Sequence, residues 1–190
     1  TLVSNINNEE VGEDEEDVEV AGLEIEADEG SDIEITALKV VFNEGTADQD
    51  FDEYASEVSI WLDGEEYALV DADEFTDESG TANDWTKTVT LDRGAIIQAG
   101  DESKLVVAVS GISNLDSGDA GETWTVDFDN IRFEDADGAT ISETPTMTAV
   151  TFSFNTFASA ADIELKLSLG DDNPDSGVVD VDSSDDTDNV

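Results

Sequence analysis

The sequence predicts an all-β chain folded as an antiparallel sandwich, and three observations carry this. Apolar and polar residues alternate over Thr123–Phe133, with Trp124, Val126 and Phe128 on one side and Thr125, Asp127 and Asp129 on the other. That is the period-2 signature of a strand with one buried face. Asp63-Gly64 and Asp137-Gly138 punctuate alternating stretches. Asp-Gly is the strongest short-range hairpin signal, because a type I′ turn needs positive φ at both central residues. No stretch holds a helical period beyond a turn, the nearest being Ala47–Ala55 and Ala158–Ala161.

The elements follow in order. Leu2, Val3 and Ile6 are weakly apolar, and residues 9–17 are an acidic run broken only by Val11 and Gly12. Such a run does not pack against itself, so residues 1–17 read as an N-terminal arm or linker. Val18–Ala27 alternates with a phase slip at Ala21-Gly22, the mark of a β-bulge. Asp28–Asp32 is a turn, and Ile33–Phe42 is a strand with a slip near Ala37-Leu38. Val58, Ile60 and Leu62 lead into Asp63-Gly64, with Tyr67 and Leu69 on the return. Trp85–Leu91 and Leu105–Val109 are strands, Gly94 and Gly100 bracket a short segment between them, and the acidic loop Ser110–Glu122 leads into Thr123–Phe133. That strand slips phase at Asn130-Ile131 before the Asp137-Gly138 turn and the piece Ala139–Ser142. Met147–Phe157 is Thr- and Phe-rich, and Ile163–Leu169 is the last alternating strand. About nine strands at 8–15-residue spacing predict an immunoglobulin-like or jelly-roll sandwich over residues 18–170, with extended acidic termini at 1–17 and 171–190. Sliding residues 173–190 onto 1–18 matches Ser176 with Ser4, Val178 with Ile6, Asp186 with Asp14 and Val190 with Val18. The offset implies a repeat of about 172 residues, the chain's end being the start of a further module.

Charge is the extreme feature. Six basic residues against 51 acidic ones give 6 − 51 = −45. A folded monomer of 20.3 kDa exposes about 8,800 Å², so net charges sit roughly 14 Å apart. The Debye length is ~8–10 Å at ordinary salt and ~3 Å at 1 M, so mean repulsion is screened in brine while dense clusters still call for cations. Two readings stand: a solvated coat that keeps the protein soluble, or a cation-dependent protein, halophilic or calcium-bound. Nucleic acid and anionic membranes would be repelled. No apolar run approaches the ~18 residues of a membrane-spanning helix. With no Cys and no His, thiolate nucleophiles, His bases and disulfides are excluded, and so are zinc or copper sites built on those ligands.

Calcium is the cofactor this composition suggests, since it takes six to eight oxygens, chiefly from carboxylates. The candidate ligands are Asp171, Asp172, Asn173 and Asp175 after the last strand, Asp71, Asp73 and Asp77, the pair Asp135 and Asp137, and the pair Asp116 and Asp119. None completes the EF-hand pattern, and Asp is in any case a favoured turn residue. The Asp171–Asp175 stretch looks like the acidic inter-domain linkers of cadherin-like and bacterial adhesin repeats, without reproducing the cadherin motif. Asp127 and Asp129 share one strand face about 7 Å apart, a separation compatible with paired-acid hydrolysis. The polar outer face of a half-buried strand accounts for them better, so the reading is non-enzymatic. Of the tryptophans, Trp61 and Trp124 are expected in the core, and Trp85, at a strand start, is the candidate for stacking a sugar. The arms supply the candidate assembly residues: Leu2, Val3 and Ile6 at one end, Val178, Val179 and Val181 at the other. Either set is able to add as a strand to an open sheet edge.

Over residues 18–170 the pattern resembles the acidic β-sandwich modules of prokaryotic cell-surface proteins: adhesin repeats, S-layer-like subunits and fibre-forming subunits. The resemblance implies an extracellular, structural role. The chain is therefore expected to assemble with copies of itself into a filament, array or tandem-repeat fibre through its terminal arms, cations screening the acid. The alternative is a calcium-dependent or carbohydrate-binding recognition module of a larger adhesin, with cell-surface glycans as partner.

Overall fold

The computed structural model describes residues 3, 6–47, 50–78, 83–146 and 148–156. They form two sheets packed face to face. In order the strands are β1 (Glu9–Gly12), β2 (Val18–Glu26), β3 (Ile33–Glu44), β4 (Ala55–Leu62), β5 (Glu65–Asp71), β6 (Thr76–Asp77), β7 (Asp84–Thr90), β8 (Ile96–Ile97), β9 (Glu102–Gly111), β10 (Thr123–Asp135), β11 (Thr140–Glu143) and β12 (Val150–Asn155). Short 3-10 turns lie at Phe51–Glu53 and Ala72–Glu74. The larger sheet runs β1-β12-β10-β3-β7-β6, with β11 beside β10 and β8 beside β3; the smaller runs β2-β9-β4-β5. The expected all-β sandwich is what forms. The predicted strand Ile163–Leu169, the piece Ala158–Ala161 and the C-terminal arm lie outside the described residues.

β10 is the central strand of the larger sheet because its alternation is the cleanest. It pairs with β3 along its length, and on its other side with β12 at one end and β11 at the other. Trp124, Val126 and Phe128 are buried inward, as the alternation requires. The inward phase then resumes at Ile131 because the register against β3 slips between Phe128 and Asn130, leaving Asp129 as the extra residue. A second slip, opposite Arg132/Phe133, leaves Thr36 extra on β3, next to the phase slip at Ala37-Leu38. On β2 the register against β9 shifts between Glu19 and Ala21, beside the slip read at Ala21-Gly22. These bulges bend the strands so that one apolar face stays on the core.

The turns follow the residue chemistry. Asp63 and Gly64 have φ of 50° and 83°, both left-handed, and close the β4–β5 hairpin. At the β10–β11 turn the Asp135 carboxylate accepts the N–H groups of Asp137 (3.0 Å) and Ala139 (2.8 Å). Gly138 there adopts φ of 80°.

Between the sheets lies an aromatic cluster. Phe42 stacks on Phe51 with centroids 4.2 Å apart, and Phe75 and Phe152 meet Phe42 edge-on. Trp124 meets Phe51 and Tyr54 edge-on at 5.2 and 5.5 Å. Each ring contributes about 1.5–3 kcal/mol on full burial, and edge-on pairs about 0.5–1.5 kcal/mol more. Tyr54 donates its hydroxyl to Glu122 at 2.5 Å. The Trp124 ring N–H has no acceptor among the described residues.

The N-terminal stretch departs from the reading of residues 1–17 as an arm. Glu9–Gly12 is a strand that pairs parallel with β12, Glu9 opposite Phe152 and Gly12 opposite Asn155. Val11 is fully buried in the main core. The acids around it do not need to pack on one another, because they accept hydrogen bonds from neighbouring strands and loops. Glu13 takes the Leu115 N–H at 2.8 Å, and Glu15 the Gly12 N–H at 2.8 Å. Asp17 takes the Ser59 hydroxyl at 2.7 Å, and Glu10 the Asn155 amide at 3.0 Å. Asn8, Asp14 and Asp17 all adopt positive φ, a conformation Asn and Asp tolerate better than most residues. So the run that composition marks as a linker is a tight wrap with one aliphatic anchor.

Candidate functional site

The smaller sheet has an unusual outer face. In a strand buried on one side only, alternate residues are polar. β9 instead carries Leu105, Val106, Val107, Ala108 and Val109 in succession. Leu105, Val107 and Val109 belong to the main core, while Val106 and Ala108 point out yet are only 3% and 1% exposed. Opposite them across the register stand Trp61 and Ser59 on β4, and Gly22 and Glu19 on β2. Trp61 therefore faces outward and is half-buried, contrary to its expected place in the core. It donates its ring N–H to Ser59 at 2.8 Å. On the same face Leu69, opposite Ser59, is 49% exposed.

Val3 and Ile6 cover this face. They form an apolar cluster with Val106, with Trp61 packed against it. The Val3 N–H donates to the Gly22 carbonyl at 2.9 Å, and the Ile6 N–H to the Val3 carbonyl at 3.3 Å. Residues 3 and 6 are thus brought to one side by a turn. Gly22 leaves the space they use: a Cβ there would sit 2.9 Å from Ile6 Cδ1 and 3.0 Å from Val3 Cγ2. Of the predicted assembly residues, Val3 and Ile6 come together here. Leu2, Val178, Val179 and Val181 lie outside the described residues. The sequence held one signal of the groove, the unbroken apolar run 105–109, which belongs to a strand covered on both faces.

A second apolar opening lies at the far end of the sandwich, between β2 and the β10–β11 hairpin. It is a cleft of about 220 Å³ lined by Leu23, Ile25, Ile33, Ile35, Ile131 and Phe133, with Glu24, Glu26, Glu143 and Pro145 at its margin.

The predicted ion and sugar residues are placed as follows. Among the described residues no three carboxylates converge in a manner able to hold a metal ion. Asp71 ends β5, Asp73 sits in the following 3-10 turn and Asp77 in β6, all exposed. Asp135 is engaged by the N–H groups of its own turn, and Asp116 accepts the Gly118 N–H at 2.9 Å. Asp171, Asp172, Asn173 and Asp175 lie outside the described residues. Trp85 is half-buried opposite Phe42, its ring N–H donated to Glu44 at 3.3 Å. Asp127 accepts the Phe128 N–H at 2.8 Å, and Asp129 pairs with Lys39 at 3.0 Å. Each is thus tied to a structural partner, and neither lines the cleft.

The cations are spent on the surface. Lys39 also holds Glu78 at 3.1 Å, Lys87 holds Glu74 at 2.7 Å and Lys104 holds Glu19 at 2.8 Å. The Asp129 and Glu78 carboxylates push the Lys39 pKa up from its usual 10.5. Desolvation, then the Glu65 carboxylate, pushes the Tyr67 phenol up from 10.0. Both are surface groups, so these pairs contribute little to stability at high salt.

No helix among the described residues is long and apolar enough to cross a membrane. No protein-family model matches the chain, and no curated protein is found as its relative. Among solved structures the chain is similar to a cohesin module from a family 33 glycoside hydrolase of Clostridium perfringens. The TM-score is 0.35 at 11% identity, over 82% of this chain and 94% of that one. It is also similar to the collagen-binding subdomain of the Enterococcus faecalis surface protein ACE. There the TM-score is 0.26 at 14% identity, over 71% of this chain and 85% of that one. Likenesses this distant do not bear on ligand or role.

Proposed function

We propose that the chain is a non-enzymatic, extracellular structural module that assembles with copies of itself into a filament, array or tandem fibre. Assembly runs through the terminal segments, with cations screening the acidic surface. The observation that supports this most is the way the N-terminal segment is held. Val3 and Ile6 dock on the outside of one sheet, and Glu9–Gly12 adds as an edge strand to the other. A short, acid-rich segment with a few aliphatics is thus enough to be recognised by this sandwich. The far end of the chain is also acid-rich with a few aliphatics, its acids being Asp where residues 9–17 are mostly Glu.

Cations enter because every copy carries −45. Bringing two such surfaces together is opposed until ionic strength shortens the Debye length toward ~3 Å. Calcium at Asp171, Asp172, Asn173 and Asp175 would neutralise the end that has to approach a neighbour. The test is electron microscopy of the full chain at low salt, in molar NaCl, and with calcium or EDTA. The expected result is ordered assemblies that appear with salt or calcium. Single particles under every condition and concentration would overturn the proposal.

A further inference from the structure

The groove on the smaller sheet recognises two aliphatic side chains three residues apart. Val3 and Ile6 satisfy it with a backbone hydrogen bond from Val3 to Gly22, one from Ile6 to Val3, and their side chains against Val106 and Trp61. Val3 and Ile6 are 8% and 4% exposed. In the acidic end Gly170–Val190 the aliphatics are Val178, Val179, Val181 and Val190. Val178 and Val181 repeat the three-residue spacing. Laying Val178 on Val3 and Val181 on Ile6, three residues from the register of the 172-residue offset, sets Asp180 against Asn5 and Asp182 against Asn7, with Val179 in place of Ser4.

We propose that the groove formed by Gly22, Trp61 and Val106 accepts Val178–Val181 of a second copy in place of the Val3 and Ile6 of its own chain. This rests on the assembly reading above and names its contact. Residues 157–177 span at most about 70 Å when extended, ample to leave one sandwich and reach the next. Lys104 lies two residues before Val106 on the outward side of β9, opposite Glu24 and paired with Glu19. With Glu19 and Glu24 beside it, Lys104 leaves this margin net acidic, so Asp180 and Asp182 approach it only where salt screens the charge. Leu69 extends the same face and is still exposed, leaving apolar surface for Val179. A contact between the tail of one copy and the sheet of another is heterologous, and such contacts build open filaments wherever the rotation between copies does not close a ring. The cis segment competes at an effective concentration in the millimolar range, as any tethered ligand does. Exchange therefore needs crowded copies and screened charge.

The chain has no Cys, so disulfide trapping is clean. Full-length V178C is mixed with full-length V106C in molar salt and oxidised. The expected product is a disulfide-linked heterodimer. Its yield rises roughly tenfold or more when the V106C chain also carries V3D/I6D, because the tethered competitor is gone. It falls when the V178C chain carries V181D, or when the V106C chain carries Gly22→Val. A yield indifferent to V181D and to V3D/I6D overturns the proposal. So does a V106C/V178C double variant that closes on itself rather than between chains. Copies that assemble in the microscope yet fail to crosslink here sink the groove alone, whereas copies that never assemble sink the functional reading with it.

Discussion

The two sheets of this sandwich show water different outer faces. On the larger sheet the outward positions of β3, β7 and β10 include Lys39, Thr88, Thr125 and Asp127, the polar coat that the alternation foretells. On the smaller sheet the outward positions include Glu19, Glu24 and Lys104 but also Gly22, Val106, Ala108, Ser59 and Trp61, and Val3 and Ile6 pack on Gly22, Val106 and Trp61. The inner faces serve one shared core. The lesson is that acid on a surface and access to that surface are separate properties. The larger sheet shows charged and polar side chains to water. The smaller sheet has an apolar strip on its outer face, and Val3 and Ile6 of the same chain fill it.

Substitutions can break this contrast in order of effect. Truncating a shared inner-face residue, Trp124→Ala or Phe42→Ala, is expected to cost about 3–5 kcal/mol, read as a shift in urea midpoint. If either cost under about 1 kcal/mol, the described core would be wrong. The seat on the smaller sheet comes next. Gly22→Val drives a side chain into Val3 and Ile6 and is expected to cost about 1–3 kcal/mol by overpacking. Gly30→Ala, with open space around it, is expected to be close to neutral. Equal effects at the two glycines would mean that the segment over Gly22 is not docked.

The smallest effect belongs to the charged face. Lys39 and Tyr67 both bind their protons more tightly when folded than their ordinary values of 10.5 and 10.0 imply. Such groups contribute stability that is present below the unfolded pKa and is lost as pH rises through the folded one. Melting temperature is therefore expected to fall above about pH 10. The fall should be shallower in Asp129→Asn, which removes the first of the Lys39 partners. An identical alkaline slope in that variant would show that the Lys39–Asp129 pair does not form in solution.

Most of the sandwich is legible in the sequence, because alternation and Asp-Gly turns are local signals. β10, its bulge after Phe128 and the Asp63-Gly64 hairpin follow from neighbouring residues alone. β1 does not. Four residues, Glu9 to Gly12, carry one apolar side chain, and their place beside β12 is fixed by partners such as Phe152 and Asn155, about 140 positions away. Composition averages Val11 into the acid around it. The two-residue strands Thr76–Asp77 and Ile96–Ile97 are too short to show any period. The groove is half visible in the sequence: Val3 and Ile6 stand out as aliphatics beside an acidic run, and Leu105–Val109 shows a strand but not what covers Val106. Trp61 misled for a related reason. A tryptophan in the middle of a strand usually faces the core, but here it faces a peptide.

The central claim is that the outer face of the smaller sheet is a seat for a terminal segment and that neighbouring copies share it. Sedimentation equilibrium of the full chain in molar NaCl tests this most directly, comparing wild type with V3D/I6D and with V178D/V181D. The account predicts opposite signs: stronger association when the cis segment is removed, and monomers when the tail is disarmed. The same association in all three would contradict it.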